Sequence, residues 1–466
     1  MSGSTRLRVA VVGCGIGGPA AALFLARSGH EVTVFDRAEE LGPKGAGILL
    51  APTGQYVLDE LGLLDAALAH SSIIQRLAGQ SASGRKVMDI RYRNLHPGLF
   101  GLGIHRGALF AILRDAMIAN GIEIRTGWPL AGVDEGYLLP ESGVTSLDFG
   151  VGEGSDSKLQ TPNSKLQTQE SQYPQSAIRN PKSKEGPFDL IVVADGVRST
   201  LRKSLGLEIR AKPYGYGAIW ASVTNWGEFP DNVLQQAYKG TRKMIGLLPS
   251  GRIDGVEGRQ ISIFWSIPFH QLPLWRLNGL DRWKEDVLQL MPGIESLLDQ
   301  IESPDQVTIA SYFDVRTRAA VSDRCVLIGD SAHASSPQLG QGASLALSDA
   351  MKLAKCLDQE PDLAAALSRY QASRRRQSQF YQAASKWMTP FFQSSCGALA
   401  WPRDLLLGPL CRWPWLQREM VATMCGFKDG PFGRIAEENQ ITQMSMNLTL
   451  GRLVRDSSPT ETAPSR

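Results

Sequence analysis

A glycine-rich loop near the start of the chain has the spacing of a pyrophosphate-binding turn. The stretch GCGIGG follows a short apolar run and precedes an Ala/Leu-rich segment. In a G-x-G-x-x-G pattern the first glycine makes a tight turn, the second admits a phosphate close to backbone N–H groups, and the third lets the next helix pack closely. The positive end of that helix favours an anion at the same place. The loop therefore predicts a dinucleotide site at Gly13, Gly15, Ile16, Gly17 and Gly18.

The next apolar run, EVTVF, ends at an acidic residue. Asp36 stands there, followed by Arg37, at roughly the 20-residue distance from the glycine loop that dinucleotide sites show. A carboxylate at this place accepts a hydrogen bond from the 2′-hydroxyl of an adenosine ribose and disfavours a 2′-phosphate. The sequence therefore predicts FAD or NAD here rather than NADP. We interpret Cys14, inside the loop, as a small apolar filler, because no base lies near it in sequence.

Two later apolar runs also lead to an aspartate. The run FDLIVVA precedes Asp195 in the motif DGVRSTLR, which is either a ligand contact at the edge of a sheet or a plain Asp-Gly turn. The run CVLIG precedes Asp330, whose carboxylate suits the hydroxyl groups of a polyol. We interpret His333 as structural, because nothing in the sequence pairs it with a carboxylate.

A second pair of glycines follows Asp330 in the stretch GQGAS. Gly340 and Gly342 flank Gln341 and keep side chains away from a flat group. A helix is predicted from about Ala343, and its positive end would stabilise negative charge that develops on that group.

Two kinds of sheet must position these motifs. β-rich runs at residues 7–12, 31–35, 188–194 and 325–328, with a helical pattern at 19–28, predict a parallel, doubly wound α/β sheet. Residues 214–224, 244–248 and 261–267 are β-branched and aromatic with turn residues between them, which predicts antiparallel strands. The predicted fold is a discontinuous Rossmann-type domain with an inserted antiparallel β-sheet domain and a C-terminal helical region.

The composition excludes several other classes of protein. The 466 residues carry 49 Lys and Arg against 46 Asp and Glu, a balance too even for a nucleic-acid-binding surface. The six cysteines include no Cys-X-X-Cys pair, so neither a disulfide scaffold nor a metal site is predicted. No apolar run is long enough to span a membrane and no signal segment is recognised, so we expect a cytoplasmic protein.

Tryptophan and arginine residues stand among apolar ones in the segment 401–427. It contains Trp401, Trp413 and Trp415 together with several arginines. This composition is typical either of a helical cap packed on the core or of a helix on a membrane surface. Three prolines interrupt any long amphipathic face, which favours the cap and leaves a weak membrane-surface contact as the alternative.

Taken in order, the motifs resemble those of the FAD-dependent aromatic hydroxylases, the class A flavoprotein monooxygenases of p-hydroxybenzoate and salicylate hydroxylase type. GCGIGG with FDR, ADGVRSTLR, and GDSAHASSPQLGQGASLALSDA match three signatures of this family. GAGI at residues 45–48 and IHR at residues 104–106 match its linking segments. The resemblance runs from Arg8 to about Leu357, outside a polar stretch in the middle.

The resemblance implies roles for individual residues. The first glycine loop would hold the FAD pyrophosphate, and Asp36 the adenosine ribose. Further cofactor contacts are implied at Arg37, Gly47, Arg106, Leu130 (through its backbone, to adenine), Asp195, Asp330, Gly340, Gln341, Gly342 and Ala343. No side chain is assigned a catalytic role, because the flavin does the chemistry.

The resemblance also implies the reaction. NAD(P)H, bound transiently without a domain of its own, would reduce the flavin. Reaction with O₂ would then give a flavin C4a-hydroperoxide, which hydroxylates an aromatic or hydrophobic small molecule.

We expect the following division of the chain. The FAD-binding domain comprises residues 1–72, 101–134, 188–210 and 306–360, and the substrate domain residues 73–100 and 211–305. Residues 135–187, in which SKLQT occurs twice, are predicted to be a disordered low-complexity insertion. Residues 361–455 are expected to be helical, and residues 456–466 a flexible tail.

Three alternatives stay open. The stretch FWSIP at residues 264–268 matches half of the W-x-W-x-I-P stretch of flavin-dependent halogenases, with Lys44 as the lysine they require; an epoxidase belongs with this reading. An FAD-dependent cyclase or isomerase would keep the first loop and Asp36 but would not need Gly340 and Gly342. A regulatory protein could retain FAD without turnover.

Overall fold

A computed structural model of the chain describes residues 6–42, 45–141 and 184–457. Within these ranges the strands are β1 (Arg8–Val12), β2 (Glu31–Phe35), β3 (Gly47–Leu50), β4 (Ser71–Ile74), β5 (Arg76–Ser81), β6 (Lys86–Arg91), β7 (Gly101–His105), β8 (Glu123–Arg125), β9 (Leu130–Asp134), β10 (Tyr137–Pro140), β11 (Leu190–Val193), β12 (Ile209–Asn225), β13 (Val233–Lys239), β14 (Lys243–Gly251), β15 (Arg259–Pro268), β16 (Thr308–Thr317), β17 (Val321–Ser322) and β18 (Cys325–Leu327). The α-helices are α1 (Gly17–Arg27), α2 (Pro52–Glu60), α3 (Leu64–Ala69), α4 (Arg106–Ala119), α5 (Leu272–Leu290), α6 (Glu295–Leu298), α7 (Asp330–His333), α8 (Gly342–Gln359), α9 (Leu363–Phe392), α10 (Ala400–Pro402), α11 (Gly408–Leu410), α12 (Pro414–Met424) and α13 (Glu438–Ser457).

A six-stranded sheet in the order β17-β18-β11-β1-β2-β8 forms the first domain. Neighbouring strands from β18 to β8 are parallel, and β17 is antiparallel to β18. Strands β1 and β11 are apolar and buried, as expected where both faces of a parallel sheet are covered. Because the strands come from distant parts of the chain, the predicted discontinuous Rossmann-type domain is confirmed.

The carboxyl ends of these parallel strands meet at one edge of the sheet. Gly13 follows β1, Asp36 follows β2, and Asp195 and Asp330 stand just beyond β11 and β18. The chain leaves β1 for β2 on one side, and β11 lies on the other, so the strand order reverses at β1. Ligands of open α/β sheets bind in the crevice at such a point. The topology alone therefore brings the predicted motifs together.

A seven-stranded sheet in the order β16-β12-β15-β14-β13-β5-β6 forms the second domain. Its neighbouring strands are antiparallel except β13 and β5. The predicted antiparallel strands lie within β12, β14 and β15, so the inserted antiparallel sheet is confirmed. Strand β16 pairs with β12 and carries this sheet beyond the boundary expected at residue 305.

The two faces of the second sheet have different partners. Ile245, Ile263 and Trp265 belong to a separate apolar core that contains residues of α5 and α6. Side chains alternate between the faces of a strand, so the neighbouring residues point the other way, toward the first domain. These are Trp220, Ser222, Met244, Gly246, Leu248, Ser262, Phe264 and Ser266.

A three-stranded sheet, β3-β7-β4, joins the two domains. In β7, a Cβ atom on Gly103 would lie 1.9 Å from the carbonyl oxygen of Pro249 in β14. In β3, the N–H of Gly47 donates to Ser262 Oγ at 2.7 Å. The junction thus depends on glycines that allow two backbones to approach each other.

Both ends of the predicted insertion are ordered, so that part of the prediction is wrong. β10 pairs with β9, and Glu185 forms a bridge with Leu138. Leu138 is fully buried in a cluster that includes Trp128 and Phe188. The prediction missed this contact because most of the surrounding sequence is polar. The rest of the insertion and the predicted tail beyond residue 457 lie outside the described residues.

The C-terminal part is helical and packs on the main core. Val421, Cys425 and Phe427 are buried in the same apolar cluster as α1 and α8. None of the helices in the described ranges combines the length and apolar character that crossing a bilayer requires.

The close approach at Gly103 gives a first prediction. Gly103→Ala should lower the free energy of unfolding by about 1–3 kcal/mol, because its Cβ atom would overlap a backbone carbonyl that cannot rotate away. Gly215→Ala is the matched control, since a Cβ atom on this strand glycine would meet no atom within 4 Å, and it should change the same quantity by less than about 0.5 kcal/mol. Urea unfolding measures both, and equal values for the two variants would contradict the packing described.

Candidate cofactor site

The first glycine loop leaves open space in front of α1. A Cβ atom on Gly15 would meet no atom within 4 Å, whereas one on Gly18 would lie 1.9 Å from the carbonyl oxygen of Gly13. Gly13 has a φ of 104°, in the region that favours glycine. The three glycines therefore make the turn, the open approach and the close packing that the pattern predicts. Ile16 precedes the first residue of α1, Gly17.

Asp36 lies directly beside this loop. Its Oδ2 accepts a hydrogen bond from the N–H of Cys14 at 2.6 Å, and its Oδ1 accepts one from Ala38 at 2.8 Å. Each carboxylate oxygen keeps a further lone pair for a ribose hydroxyl. Burial, together with Asp36, raises the pKa of Cys14 to about 12, so the thiol stays protonated at neutral pH, in agreement with its interpretation as a filler. Arg37 is exposed.

Arg106 and Leu130 lie near the two ends of this region. The Arg106 N–H donates to the carbonyl oxygen of Ala46, and its exposed side chain passes beside Gly45. The backbone N–H of Trp128 donates to the backbone carbonyl of Asp36. The segment leading to Leu130 therefore lies next to Asp36, the residue predicted to bind the ribose. The Leu130 carbonyl already accepts a hydrogen bond from Thr200, so the adenine contact at Leu130 stays a prediction.

Asp195 brings an unsatisfied acidic group into the crevice. Its Oδ1 is buried and has no hydrogen-bond partner among the described residues. Burial raises the pKa of Asp195 to about 6, although the hydroxyl of Ser199 and the charge of Arg202 oppose this. A buried oxygen without a partner fits a ligand that donates hydrogen bonds, as the hydroxyl groups of FAD do.

Arg202 connects the Asp195 motif to the Asp330 motif. This connection was not predicted from the sequence. Arg202 is buried and donates to the carbonyl oxygens of Ser331 and Val197. The motif DGVRSTLR opens only a single 3₁₀ turn, Leu201–Lys203. Its second arginine is thus a structural tie, which the spacing alone could not indicate.

The third motif meets the first loop around one alanine. Cβ atoms on Gly17 and Gly329 would lie 3.3 Å and 3.0 Å from the Cβ of Ala346 in α8. Asp330 is exposed at the start of α7, and its Oδ1 would lie 3.8 Å from a Cβ on Gly342. The structure therefore brings Asp330 and the second glycine pair to the crevice occupied by the first loop.

The second glycine loop is held from behind. Gln341 is buried and its Nε2 donates to the carbonyl oxygens of Leu339 and Met424, at 3.2 Å and 2.9 Å. The hydroxyl of Ser344 accepts a hydrogen bond from Ala51 at 3.0 Å. Gln341 thus anchors the loop to the C-terminal region, while Gly340, Gly342 and Ala343 remain at least partly accessible.

A buried carboxylate in α8 fixes the third motif. Asp349 Oδ2 accepts the N–H of Gly329 at 2.8 Å and lies 2.6 Å from His333 Nε2, while Oδ1 accepts from Arg374 Nε at 2.6 Å. Burial alone would raise the pKa of Asp349, but His333 and Arg374 lower it to about 2. His333 does have a carboxylate partner, contrary to the sequence analysis, and its structural role stays a prediction. The sequence feature that could have indicated this partner is an acidic residue, Asp349, among the apolar residues of α8.

Gly47 lies at the junction, where its N–H donates to Ser262 Oγ, and its contact with the cofactor stays a prediction. Lys44, the lysine of the halogenase alternative, lies outside the described residues. Among the described residues no group of His, Cys, Asp or Glu has an arrangement that could hold a metal ion.

The buried carboxylate gives a second prediction. Asp349→Asn should lower the free energy of unfolding at neutral pH by about 3–5 kcal/mol, because it removes one member of a buried ionic cluster. Its pKa is lowered from 3.8 to about 2, so the wild-type stabilisation should be lost between about pH 4 and pH 2, and the variant should lack this loss. Asp358→Asn, at an exposed site on the same helix, is the control. A similar pH profile of thermal unfolding in all three proteins would contradict the assignment.

Comparisons with known proteins agree with this site. Residues 164–384 match the FAD binding domain family, and residues 11–59 match the NAD(P)-binding Rossmann-like domain family. Kynurenine 3-monooxygenase of Salinispora arenicola (strain CNS-205) is 29% identical over 388 residues, which cover 79% of this chain and 76% of the relative. 3-Hydroxybenzoate 6-hydroxylase of Klebsiella oxytoca is 27% identical over 382 residues, covering 79% and 84%.

A solved structure shows the same fold. Klebsiella pneumoniae HpxO complexed with FAD and uric acid matches with a TM-score of 0.70 at 21% identity, over 93% of this chain and 99% of that one. The resemblance predicted from the motifs is confirmed, since the homologues are FAD-dependent aromatic hydroxylases and monooxygenases. The chain is accordingly an FAD-dependent monooxygenase related to the aromatic hydroxylases.

Proposed function

We propose that this enzyme uses NAD(P)H and O₂ to hydroxylate an uncharged, largely apolar aromatic compound. The observation that carries the proposal is the position of the second glycine loop. Gly342 lies beside Asp330 in the crevice, and Gly340 lies beside Leu49 of β3, the strand whose Gly47 donates to Ser262 on the inner face of the second sheet. Between residues 220 and 266, the inward-pointing side chains of β12, β14 and β15 include Trp220 and Phe264. None of these inward-pointing side chains is charged.

The chain's own residues would hold FAD along the crevice. Gly15 and the N-terminus of α1 receive the pyrophosphate, Asp36 the ribose, and Asp330 the polyol. When bound, FAD supplies hydride acceptance from a nicotinamide and the activation of O₂. Residues 11–59 match an NAD(P)-binding family because FAD and NAD(P) contain the same adenosine diphosphate unit. The carboxylate of Asp36 favours a ribose without a 2′-phosphate at this site.

Helix α8 would stabilise negative charge at the far end of the cofactor. It has 18 residues and begins at Gly342, and the sequence from Gly340 to Ala350 contains no Lys or Arg. Within this segment, positive potential therefore comes from the N–H groups at the start of the helix and from the helix dipole. Asp349 holds Gly329 in place behind this loop, and so acts as a positioning residue.

The inner face of the second sheet combines two aromatic rings with neutral hydroxyl groups. The rings of Trp220 and Phe264 lie 5.2 Å apart, and Trp220 Nε1 donates to the hydroxyl of Tyr312 at 3.1 Å. Ser262 is fully buried and within hydrogen-bond distance of Ser222 and Ser250. Aromatic side chains with neutral hydroxyl groups beside them suit a neutral aromatic ring.

The structure favours oxygenation over the alternatives on two grounds. In the half-matched halogenase stretch, Trp265 packs in the core with α5 and α6 and faces away from the crevice. A non-redox cyclase or isomerase has no need for the open loop at Gly340 and Gly342. Chloride-dependent turnover would nevertheless assign halogenation.

We also propose the cytoplasm as the compartment. All six cysteines lie in the described residues and none forms a disulfide, which suits reducing surroundings.

The third prediction concerns cofactor and reaction together. The purified protein should be yellow, acid should release FAD rather than FMN, and NAD(P)H oxidation should rise when a member of a panel of phenols, N-heterocycles and isoprenoids is added. The panel covers aromatic and aliphatic acceptors, so it also tests the proposed substrate class. Colourless protein that cannot be reconstituted with FAD, or NAD(P)H oxidation indifferent to every compound, would contradict the proposal.

The fourth prediction concerns the second glycine loop. Gly342→Val should lower the flavin reduction potential and slow reduction by NAD(P)H more than it weakens FAD binding, because the added side chain separates the ring from the helix end. A Cβ atom there meets only Asp330 within 4 Å, so the variant should fold, and Gly342→Ala should have a smaller effect. Photoreduction titration gives the potential and equilibrium dialysis the affinity. A normal potential in the Val variant would place the ring elsewhere.

A further inference from the structure

Large apolar side chains cluster on the surface of the C-terminal region. Trp401 is 79% exposed and Trp413 is 60% exposed. The same surface carries four more exposed apolar residues, and we call the whole set the C-terminal apolar surface: Trp401, Leu405, Leu406, Leu410, Trp413 and Trp415. Groups of exposed apolar side chains on soluble proteins often mark an interaction site.

This surface is held in a fixed orientation by its inner side. Arg403 is buried, with its guanidinium over the rings of Tyr238 and Phe392, and it donates to the carbonyl oxygens of Gly240 and Phe391. A Cβ on Gly408 would lie 2.4 Å from the carbonyl oxygen of Lys86. The apolar side chains therefore point outward because the opposite side is anchored.

The prolines that argued against a membrane-facing helix have a different effect here. Pro409 and Pro414 stand in the first turns of α11 and α12, where proline is tolerated, and a π-helical turn at Arg403–Leu407 lies between α10 and α11. Successive short helical turns, rather than one long helix, thus present the apolar residues on the outside.

The charge around the C-terminal apolar surface is positive. Lys386, Arg412 and Arg418 are exposed and form no ion pair within the described part of the chain. The two acids of the segment 401–427 are both paired: Asp404 with Arg403 at 2.7 Å, and Glu419 with Lys428 and Arg434. Indole rings and leucines surrounded by unpaired cations complement the interface of a bilayer that contains anionic lipids.

The same surface continues inward to the proposed substrate site. Leu407, Met388 and Phe391 pack against a buried cluster that includes Met244 and Phe392, and Phe264 contacts this cluster too. Gln393 donates to Ser266 Oγ on the inner face of the sheet and accepts from Gln338, just before the second glycine loop. Apolar contacts therefore lead from the C-terminal apolar surface to the aromatic site.

We propose that the C-terminal apolar surface docks on an anionic phospholipid bilayer and that the enzyme takes its apolar aromatic substrate from that bilayer. The docking stands on the surface itself, while the supply of substrate rests on the proposed function. The apolar rings enter the interface, and Lys386, Arg412 and Arg418 contact lipid phosphates.

The test uses the full-length FAD-loaded protein and sedimentation with vesicles of phosphatidylcholine alone or mixed with phosphatidylglycerol. Wild type should sediment with the mixed vesicles, and less at high salt. The triple variant Trp401→Ser, Trp413→Ser, Trp415→Ser should bind at least about tenfold more weakly, because it removes the apolar area that docking would bury in the bilayer. Arg412→Glu with Arg418→Glu should abolish the preference for anionic vesicles.

Trp226→Ser is the matched control, since this tryptophan is 64% exposed on the loop after β12, outside the C-terminal apolar surface. It should bind vesicles as wild type does. Substrate-free NAD(P)H oxidation should be equal in all variants. Oxidation stimulated by a substrate dissolved in the mixed vesicles should fall in the triple variant and in the Arg412/Arg418 variant, but not in Trp226→Ser.

Two results would overturn the proposal. One is wild-type protein that sediments with neither kind of vesicle. The other is a dimer in size-exclusion chromatography that the triple variant converts to a monomer, which would assign the surface to a second copy of this chain. A protein that docks on vesicles but shows no substrate-stimulated oxidation would contradict the proposed function and leave the docking intact.

Discussion

The interaction on which the candidate site depends is the buried ionic contact of Asp349. One carboxylate reaches Gly329 on the turn before Asp330, His333 at the end of α7, and Arg374 in α9. The turn after β18 thereby keeps a fixed position relative to α8, whose N-terminus forms the second glycine loop. Because the burial of a charge is costly unless it is fully paired, all three partners are needed together.

Around this contact, small residues set the distances. Ala346 separates Gly17 of the first loop from Gly329 of the third motif, and a larger side chain at any of the three would push the two halves of the crevice apart. Gly47 and Gly103 have the corresponding function at the junction with the second sheet. The two domains thus meet through backbone, which leaves the inner face of the second sheet directly above the crevice.

The loops and the parallel sheet could be predicted from the sequence, because glycine spacing and apolar runs are local properties. Asp349 and Arg202 could not, since their roles depend on partners that stand far away in the chain or in another motif. The alternation of residues in the second sheet defines two faces but does not say which one points to the crevice. The packing of α5 and α6 against Trp265 shows that Phe264 is on the inward face. Leu138 was placed in a disordered stretch because its burial comes from residues distant in sequence.

The central claim is that FAD held between the two glycine loops delivers an oxygen atom from O₂ to an apolar aromatic substrate. The most direct measurement is mass spectrometry of the product formed under ¹⁸O₂ in ordinary water, with the compound that most stimulates NAD(P)H oxidation. The account predicts a product that contains one ¹⁸O atom. A product whose added oxygen comes from water, or an isomer of the substrate without added oxygen, would contradict it.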